Sequence, residues 1–351
     1  MLRKGLVAFV LAFTSFGLTP MARAVDPPPD GGYPNQNTAE GDSALFSLTT
    51  GNSNTANGFQ ALFNNTNGSN NTAIGSGALF SNGLHTTFGG SYNTATGVNA
   101  LFRNISGAEN TATGANALFS NTSGAENTAT GFDALFSNTT GFENTATGFN
   151  ALANNTSGVE NTATGFDALV GNTTRSNNTA TGSGALSSNT TGKFNTANGY
   201  QALHSNTTGN NNTAHGDTAL YSNTTGGGNM ATGVGALQSN TTGKGNTATG
   251  NNALFNNTGS FNIAVGSSAG TNLTIGSNNI DIGNAGVTGE SNTTRIGTVG
   301  KSTATYVAGI RGTATANANA VPVVIDSAGQ LGTVSSSRRF KDQIKPMDNS
   351  S

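Results

Sequence analysis

One cluster, Asn-Thr-Ala-Thr-Gly or a near variant, returns along most of the chain at a fixed interval. Its first asparagine stands at Asn110, Asn127, Asn144, Asn161, Asn178, Asn195, Asn212, Asn229 and Asn246, each 17 residues after the last. Upstream the frame runs Asn37, Asn54, Asn71 and then Asn93, a step of 22 that carries five extra residues. Downstream, Asn262 follows after 16. A unit this short has no room for the helix pair of a 33-residue or longer repeat, so it must be one coil of a stacked solenoid.

Within the unit, leucine recurs at Leu118, Leu135, Leu152, Leu169, Leu186, Leu203, Leu220, Leu237 and Leu254, always after alanine, and these are the expected core positions. Glycine closes the marker at Gly114, Gly131, Gly148 and their equivalents, where a turn needs positive φ or close backbone approach. A second turn comes from Asn-Thr-Thr-Gly or Asn-Thr-Ser-Gly. Two turns leave space for two strands of about four residues, with neighbouring coils paired in parallel at ~4.8 Å. Fourteen such coils form a rod on the order of 65 Å long, in which like stacks on like and the asparagine columns form amide ladders. A disordered Asn/Gly/Ser/Thr tract would not hold Leu, Ala and Gly in frame over so many units.

Composition agrees with a repeat. Charged residues are 9% of the chain, and 50 of 351 residues are glycine, against ~25% charged and about 7% glycine in ordinary domains. Arg3 and Lys4, the apolar stretch from Gly5 to Leu18, and Ala22-Arg23-Ala24 have the pattern of a secretory signal cleaved after Ala24. The formal charge of −2 becomes −5 once Arg3, Lys4 and Arg23 are removed. That balance offers no footprint for nucleic acid and no polybasic membrane patch. No stretch of the mature chain is apolar enough to span a bilayer. With no cysteine in the chain, no disulfide can staple it.

One coil buries a Leu, a Phe and two Ala, worth about 4 to 7 kcal/mol, against roughly 1 to 2 kcal/mol of backbone entropy per residue. So thin a core points to several chains sharing one packed axis. In the marker, Thr111 and Thr113 share one strand face and Ala112 faces the other. The threonine places become Ile74, Ile263 and Val265 elsewhere, so threonine is expected inside the coil and alanine at a chain–chain interface. Phe132, Phe149 and Phe166 form one column, Phe119 and Phe136 another. Buried, they widen the core, the favoured reading; exposed, they make a sticky stripe.

The markers, above all Asn262-Ile263-Ala264-Val265-Gly266, resemble the Asn-Ser-Val-Ala-Ile-Gly signature of the YadA-like heads of trimeric autotransporter adhesins, over residues 37–270. That family commonly has units of 14 residues. The resemblance implies a left-handed parallel β-roll, a homotrimer, and adhesion to extracellular matrix, glycan or cell-surface ligands. The family's C-terminal membrane-anchor barrel has no counterpart here. Instead Ser336-Ser337-Arg338-Arg339-Phe340-Lys341-Asp342 resembles the opening of the intramolecular chaperone of phage tail fibres and endosialidases, the S74 peptidases. That likeness implies Ser336 as nucleophile, Lys341 as its base and a cut between Ser335 and Ser336. Lys341 would need a pKa lowered by burial, and only ten residues follow it. The pair therefore reads as a vestige of self-cleavage.

The expected organisation is a signal peptide at 1–24, a linker at 25–36, the solenoid at 37–270, a β-rich stem at 271–334 and a truncated chaperone start at 335–351. No cofactor is expected, and no turnover of a substrate. His85, His204 and His215 lack metal-ligand spacing. Glu109, Glu126, Glu143 and Glu160 stack into one acidic column. Like charges ~5 Å apart either splay into water or hold cations such as Ca²⁺. The leading functional reading is a secreted or surface-exposed fibre head. The alternatives are an ice- or crystal-surface binder using the Thr-x-Thr array from Thr94 to Thr179, and a phage-tail-fibre-like protein without its chaperone.

Overall fold

The computed structural model describes residues 33–83, 89–307, 322–327 and 329–333. The signal segment, Ser336, Lys341 and His85 lie outside the described residues. Sixteen short strands stack in sequence order into one parallel sheet. They begin with β1 (Thr38–Glu40), β2 (Thr55–Asn57), β3 (Thr72–Ile74) and β4 (Thr94–Thr96). The regular middle follows: β5 (Thr111–Thr113), β6 (Thr128–Thr130), β7 (Thr145–Thr147), β8 (Thr162–Thr164) and β9 (Thr179–Thr181). Then come β10 (Thr196–Asn198), β11 (Thr213–His215), β12 (Met230–Thr232), β13 (Thr247–Thr249), β14 (Ile263–Val265), β15 (Ile280–Ile282) and β16 (Thr294–Ile296). The chain is an all-β parallel solenoid, and at ~4.8 Å per coil the sheet is on the order of 70 Å tall. β15 and β16, in the segment expected to form a separate β-rich stem, extend this sheet beyond residue 270. A separate antiparallel hairpin, β17 (Val323–Ile325) with β18 (Leu331–Thr333), follows.

Each coil has one three-residue strand where two of about four were expected. The Ala-Leu segment is a turn, because its leucine is left-handed in coil after coil, with φ of 53° at Leu118, Leu135 and Leu152. That backbone costs a branched residue of order 1 kcal/mol or more. It aims the leucine into the coil and leaves its N–H free to donate to the next coil, as Leu118 N does to Ala134 O at 3.0 Å. The corner after the strand belongs to glycine. Gly148 has φ +132°, and a Cβ there would lie 2.5 Å from the carbonyl oxygen of Gly165.

The core contains Ala112, Ala117 and Leu118 and their equivalents, all fully buried. This overturns the expectation of inward threonine: every strand from β1 to β15 has its middle residue buried and its flanks wholly or partly exposed. The lumen of a 17-residue coil holds two alanine methyls and a leucine. Two threonines there would bury hydroxyls with no free acceptor, since the inward polar positions already belong to asparagine. Ile263 and Val265, the residues that suggested burial, stand 40% and 42% exposed.

Two buried asparagine columns run along the core, as the amide ladders expected from the repeat. In the first, Asn127 Nδ2 donates to Asn110 Oδ1 at 3.1 Å and to Gly141 O at 2.9 Å. Asn127 N donates to the same Asn110 oxygen. In the second, Asn138 Nδ2 donates to Asn121 Oδ1 at 2.9 Å and to Gly141 O at 3.0 Å. The Gly141 carbonyl thus joins both ladders. The stack absorbs the irregular steps locally. Thr72 pairs with Thr94 across the 22-residue step, and the Asn82–Gly90 hydrogen bond, spanning eight residues where other coils span three, confines the insertion to that turn. The 16-residue step removes a residue between Asn257 and Gly259. There the second ladder breaks, leaving Asn240 Oδ1 and Asn257 Nδ2 buried without a partner among the described residues.

Replacing Asn138 with Ala should orphan Asn121 Oδ1 and half of the Asn155 amide, at about 2 to 4 kcal/mol. Hydrogen exchange should register this as lost amide protection in the coils from 121 to 155, whereas Thr130→Val on the outer face should stay within about 0.5 kcal/mol of the parent.

Near the last strands, Asp281 occupies the alanine column, between Ala264 and Arg295 in register. It is 1% exposed and neither carboxylate oxygen has a hydrogen-bond partner among the described residues. Burial, reinforced by Glu290 and opposed by Arg295, pushes its pKa from 3.8 up to about 6. Folding therefore favours the protonated acid, and stability contributed by this site falls as pH rises from about 4 through 6. Amide protection of β14 to β16 should be greater at pH 4.5 than at pH 7.5, and Asp281→Asn should abolish that difference.

Candidate functional site

With the core given over, apart from Asp281, to Ala, Leu and Asn, the chemistry of the chain lies mostly on its outside, in columns one coil apart. The first is the sheet face. The leading outward place is threonine in all eleven strands from β1 to β11, and both places are threonine in all six from β4 to β9. The rows repeat at ~4.8 Å between strands and about 7 Å along them. Beyond β13 the face turns apolar through Ile263, Val265, Ile280, Ile282 and Ile296. Ile296 is 64% exposed.

The aromatic columns lie outside the coil, correcting the reading of these rings as a wider core. Phe46, Phe63, Phe80, Phe102, Phe119 and Phe136 stack at 4.8 to 5.2 Å between centroids, with planes within 7°. Phe132, Phe149 and Phe166 form the second stack at 5.4 and 5.3 Å, each close to half exposed. The latter residues immediately follow the corner glycine, and the former follow the left-handed leucine. The frame therefore repeats them on fixed flanks of the rod.

The second stack stops at Ser183 and resumes at Tyr200. Phe166 and Tyr200 thus stand two coils apart with only Ser183 between them. Ser183 has only a short side chain, and Gly184 beside it has none. A Cβ at Gly184 would lie 3.3 Å from Gln201 Cγ and 3.6 Å from His204 Cδ2. The result is an open pocket of about 470 Å³ whose walls include Phe166 and Tyr200, with Asp167, Gln201 and His204 bringing polar groups to it. Asp167 is half-buried and accepts from Asn150 Nδ2 at 3.1 Å. His204 is held by stacking on Tyr221 at 5.1 Å. The frame itself could have revealed this pocket, since aligning coils puts Phe132, Phe149, Phe166, Ser183 and Tyr200 in one column.

The acidic column Glu109, Glu126, Glu143 and Glu160 is exposed, each residue left-handed with φ of 54° to 58°. Its lower end meets Asn177, whose Nδ2 donates to Glu160 Oε2. Among the described residues, no three His, Cys, Asp or Glu side chains converge closely enough to hold a metal ion. His215 lies on the exposed sheet face, far along the frame from His204. Among the described residues, no helix is long and apolar enough to cross a membrane.

No family model matches this chain, and neither a curated protein nor a solved structure is significantly similar to it.

Proposed function

We propose that the chain is the head of a trimeric surface fibre, exported from the cell, that adheres to or displays itself before extracellular ligands through its repeated outer columns. The observation that carries this reading is the free sheet face. A rod whose one flat side bears an unbroken threonine rank, and then a run of five exposed or half-exposed aliphatic side chains, has a surface suited to packing against its own copies. Alanine, the residue expected at the chain–chain contact, is spent inside the coil, so that role passes to threonine and isoleucine. Three such faces around one axis would also supplement a core of only two alanines and a leucine per coil. The flanks bearing the phenylalanine stacks and the glutamate column would then remain outside, available to a partner. The resemblance to YadA-like heads points the same way. The Ser336–Lys341 vestige fits a fibre once assembled with a chaperone.

A second reading has its own observation. Twelve outward threonines from Thr94 to Thr181 form a flat two-rank array, a surface able to order water against an ice or crystal plane. Both readings use the same face, so they exclude one another. Sedimentation of the secreted chain should give three times the chain mass, and Ile263→Asp with Ile282→Asp should reduce it to one. A monomeric parent chain with a freezing-point gap that Thr145→Leu removes would reject the fibre and establish the ice binder.

A further inference from the structure

We infer that the gap in the aromatic column at Ser183 is a binding site for a neutral hexopyranose, the ring of one sugar in a glycan. This deepens the adhesive reading, and rests on it only for the biological setting.

Spacing is the first argument. Rings in this column stack at 5.3 to 5.4 Å from coil to coil, so the missing ring leaves about 10 Å between the places of Phe166 and Tyr200, two coil steps. Phe166 lies within 8° of parallel to Phe149, which turns its other face along the rod toward the vacancy. One ring-shaped ligand fills that slot with a stacking distance of about 5 Å on each side, as a sugar does against an aromatic face.

The polar groups decide which ring. A pocket for an aromatic ligand would be lined by apolar atoms, with few polar groups to satisfy. Here a carboxylate, an amide and an imidazole, from Asp167, Gln201 and His204, share the pocket with the hydroxyls of Ser183 and Ser187. Acceptors and donors so close to a stacking surface match a ring that has hydroxyls on its rim and C–H groups on its faces. The Asp167 carboxylate disfavours uronic and sialic acids through like charge and selects a neutral sugar.

The rest of the column shows why the site is single. Ser76-Gly77 repeats the Ser183-Gly184 pair in its own coil, but its following neighbour is Val98 rather than a ring. A Cβ at Gly77 would lie 2.7 Å from Asn99 Oδ1 and 3.3 Å from the Phe102 ring, so the next coil stands somewhat closer there than at Gly184, where the nearest atoms, Gln201 Cγ and His204 Cδ2, are at 3.3 and 3.6 Å.

The test uses the full secreted chain and methyl glycosides of glucose, galactose, mannose and N-acetylglucosamine, with p-cresol as the aromatic competitor. The chain has no tryptophan and five tyrosines, so a sugar in the slot should change tyrosine emission and the NMR signals of Tyr200. Saturation-transfer contacts should reach the sugar C–H protons. Ser183→Phe restores the ring that neighbouring coils already hold. It should abolish binding while leaving the sheet circular dichroism unchanged. Asp167→Asn, which installs the residue found at Asn150 and Asn116 in equivalent coils, should weaken binding about tenfold, as should Tyr200→Ala. Binding of p-cresol with none of the four glycosides overturns the inference, as does sugar binding that survives Ser183→Phe. A trimer whose cell adhesion ignores Ser183→Phe, and whose Tyr200 is silent to all four glycosides, keeps the fibre and removes the pocket. A monomer that binds a glycoside in a Ser183→Phe-sensitive manner keeps the pocket and removes the fibre.

Discussion

The buried asparagine ladder is the constraint on which the rest of the solenoid depends. A regular ladder amide donates and accepts along the axis and also donates to a backbone carbonyl at the turn, usually a glycine's, so one side chain fixes coil spacing, register and turn geometry together. An unpaired amide in so narrow an interior would cost its full desolvation, whereas a complete column leaves none unpaired. That requirement explains why asparagine holds its place while the residues on the outer flanks vary. It also explains why the lumen stays small: two asparagines, two alanines and a leucine complete the inward set, and larger groups are displaced outward.

From this follows the character of the surface. Residues excluded from the lumen inherit its axial order, so threonines form ranks, phenylalanines form stacks and glutamates form a column, with no selection for each arrangement separately. A break in any column then becomes a defined feature, because its neighbours are positioned by the frame and not by it. The Ser183 slot is such a break, and its dimensions are set by the coil step. Asp281 is the inward counterpart. It stands in the alanine column without a hydrogen-bond partner among the described residues, close enough to Glu290 and Arg295 for both to act on its charge.

Much of this was legible in the sequence, for physical reasons that separate success from failure. The solenoid, the Ala-Leu core and the amide ladders follow from periodicity alone, because stacking turns equal places in the frame into neighbours. Which strand face points inward did not follow. Alternation divides Thr111 and Thr113 from Ala112 without giving the sign, and Ile263 with Val265 tilted the choice toward the wrong face. Their exposure reflects position at an apolar end of the sheet rather than burial within a coil. The left-handed leucines were hidden for another reason. No local preference of leucine favours positive φ, and only the tertiary demand for an inward side chain with an outward-donating N–H imposes it at Leu118 and its equivalents. The gap at Ser183 was legible from the frame, as a missing ring in the column of Phe166 and Tyr200, but its polar lining comes from other places of the frame, at Asp167, Gln201 and His204.

The 16-residue step, trivial in length, has a mechanical meaning. A rod held by repeated axial bonds shares a pulling load evenly until it meets a junction with fewer of them. From the seam between the coils of Asn240 and Asn257 onward the second ladder is missing, its next place being Leu273, and the first ends at Asn279, so the coils beyond this seam are the first to part under tension. A molecule stretched from its two ends would yield within these last four coils, and the long threonine-faced segment above them would come away intact.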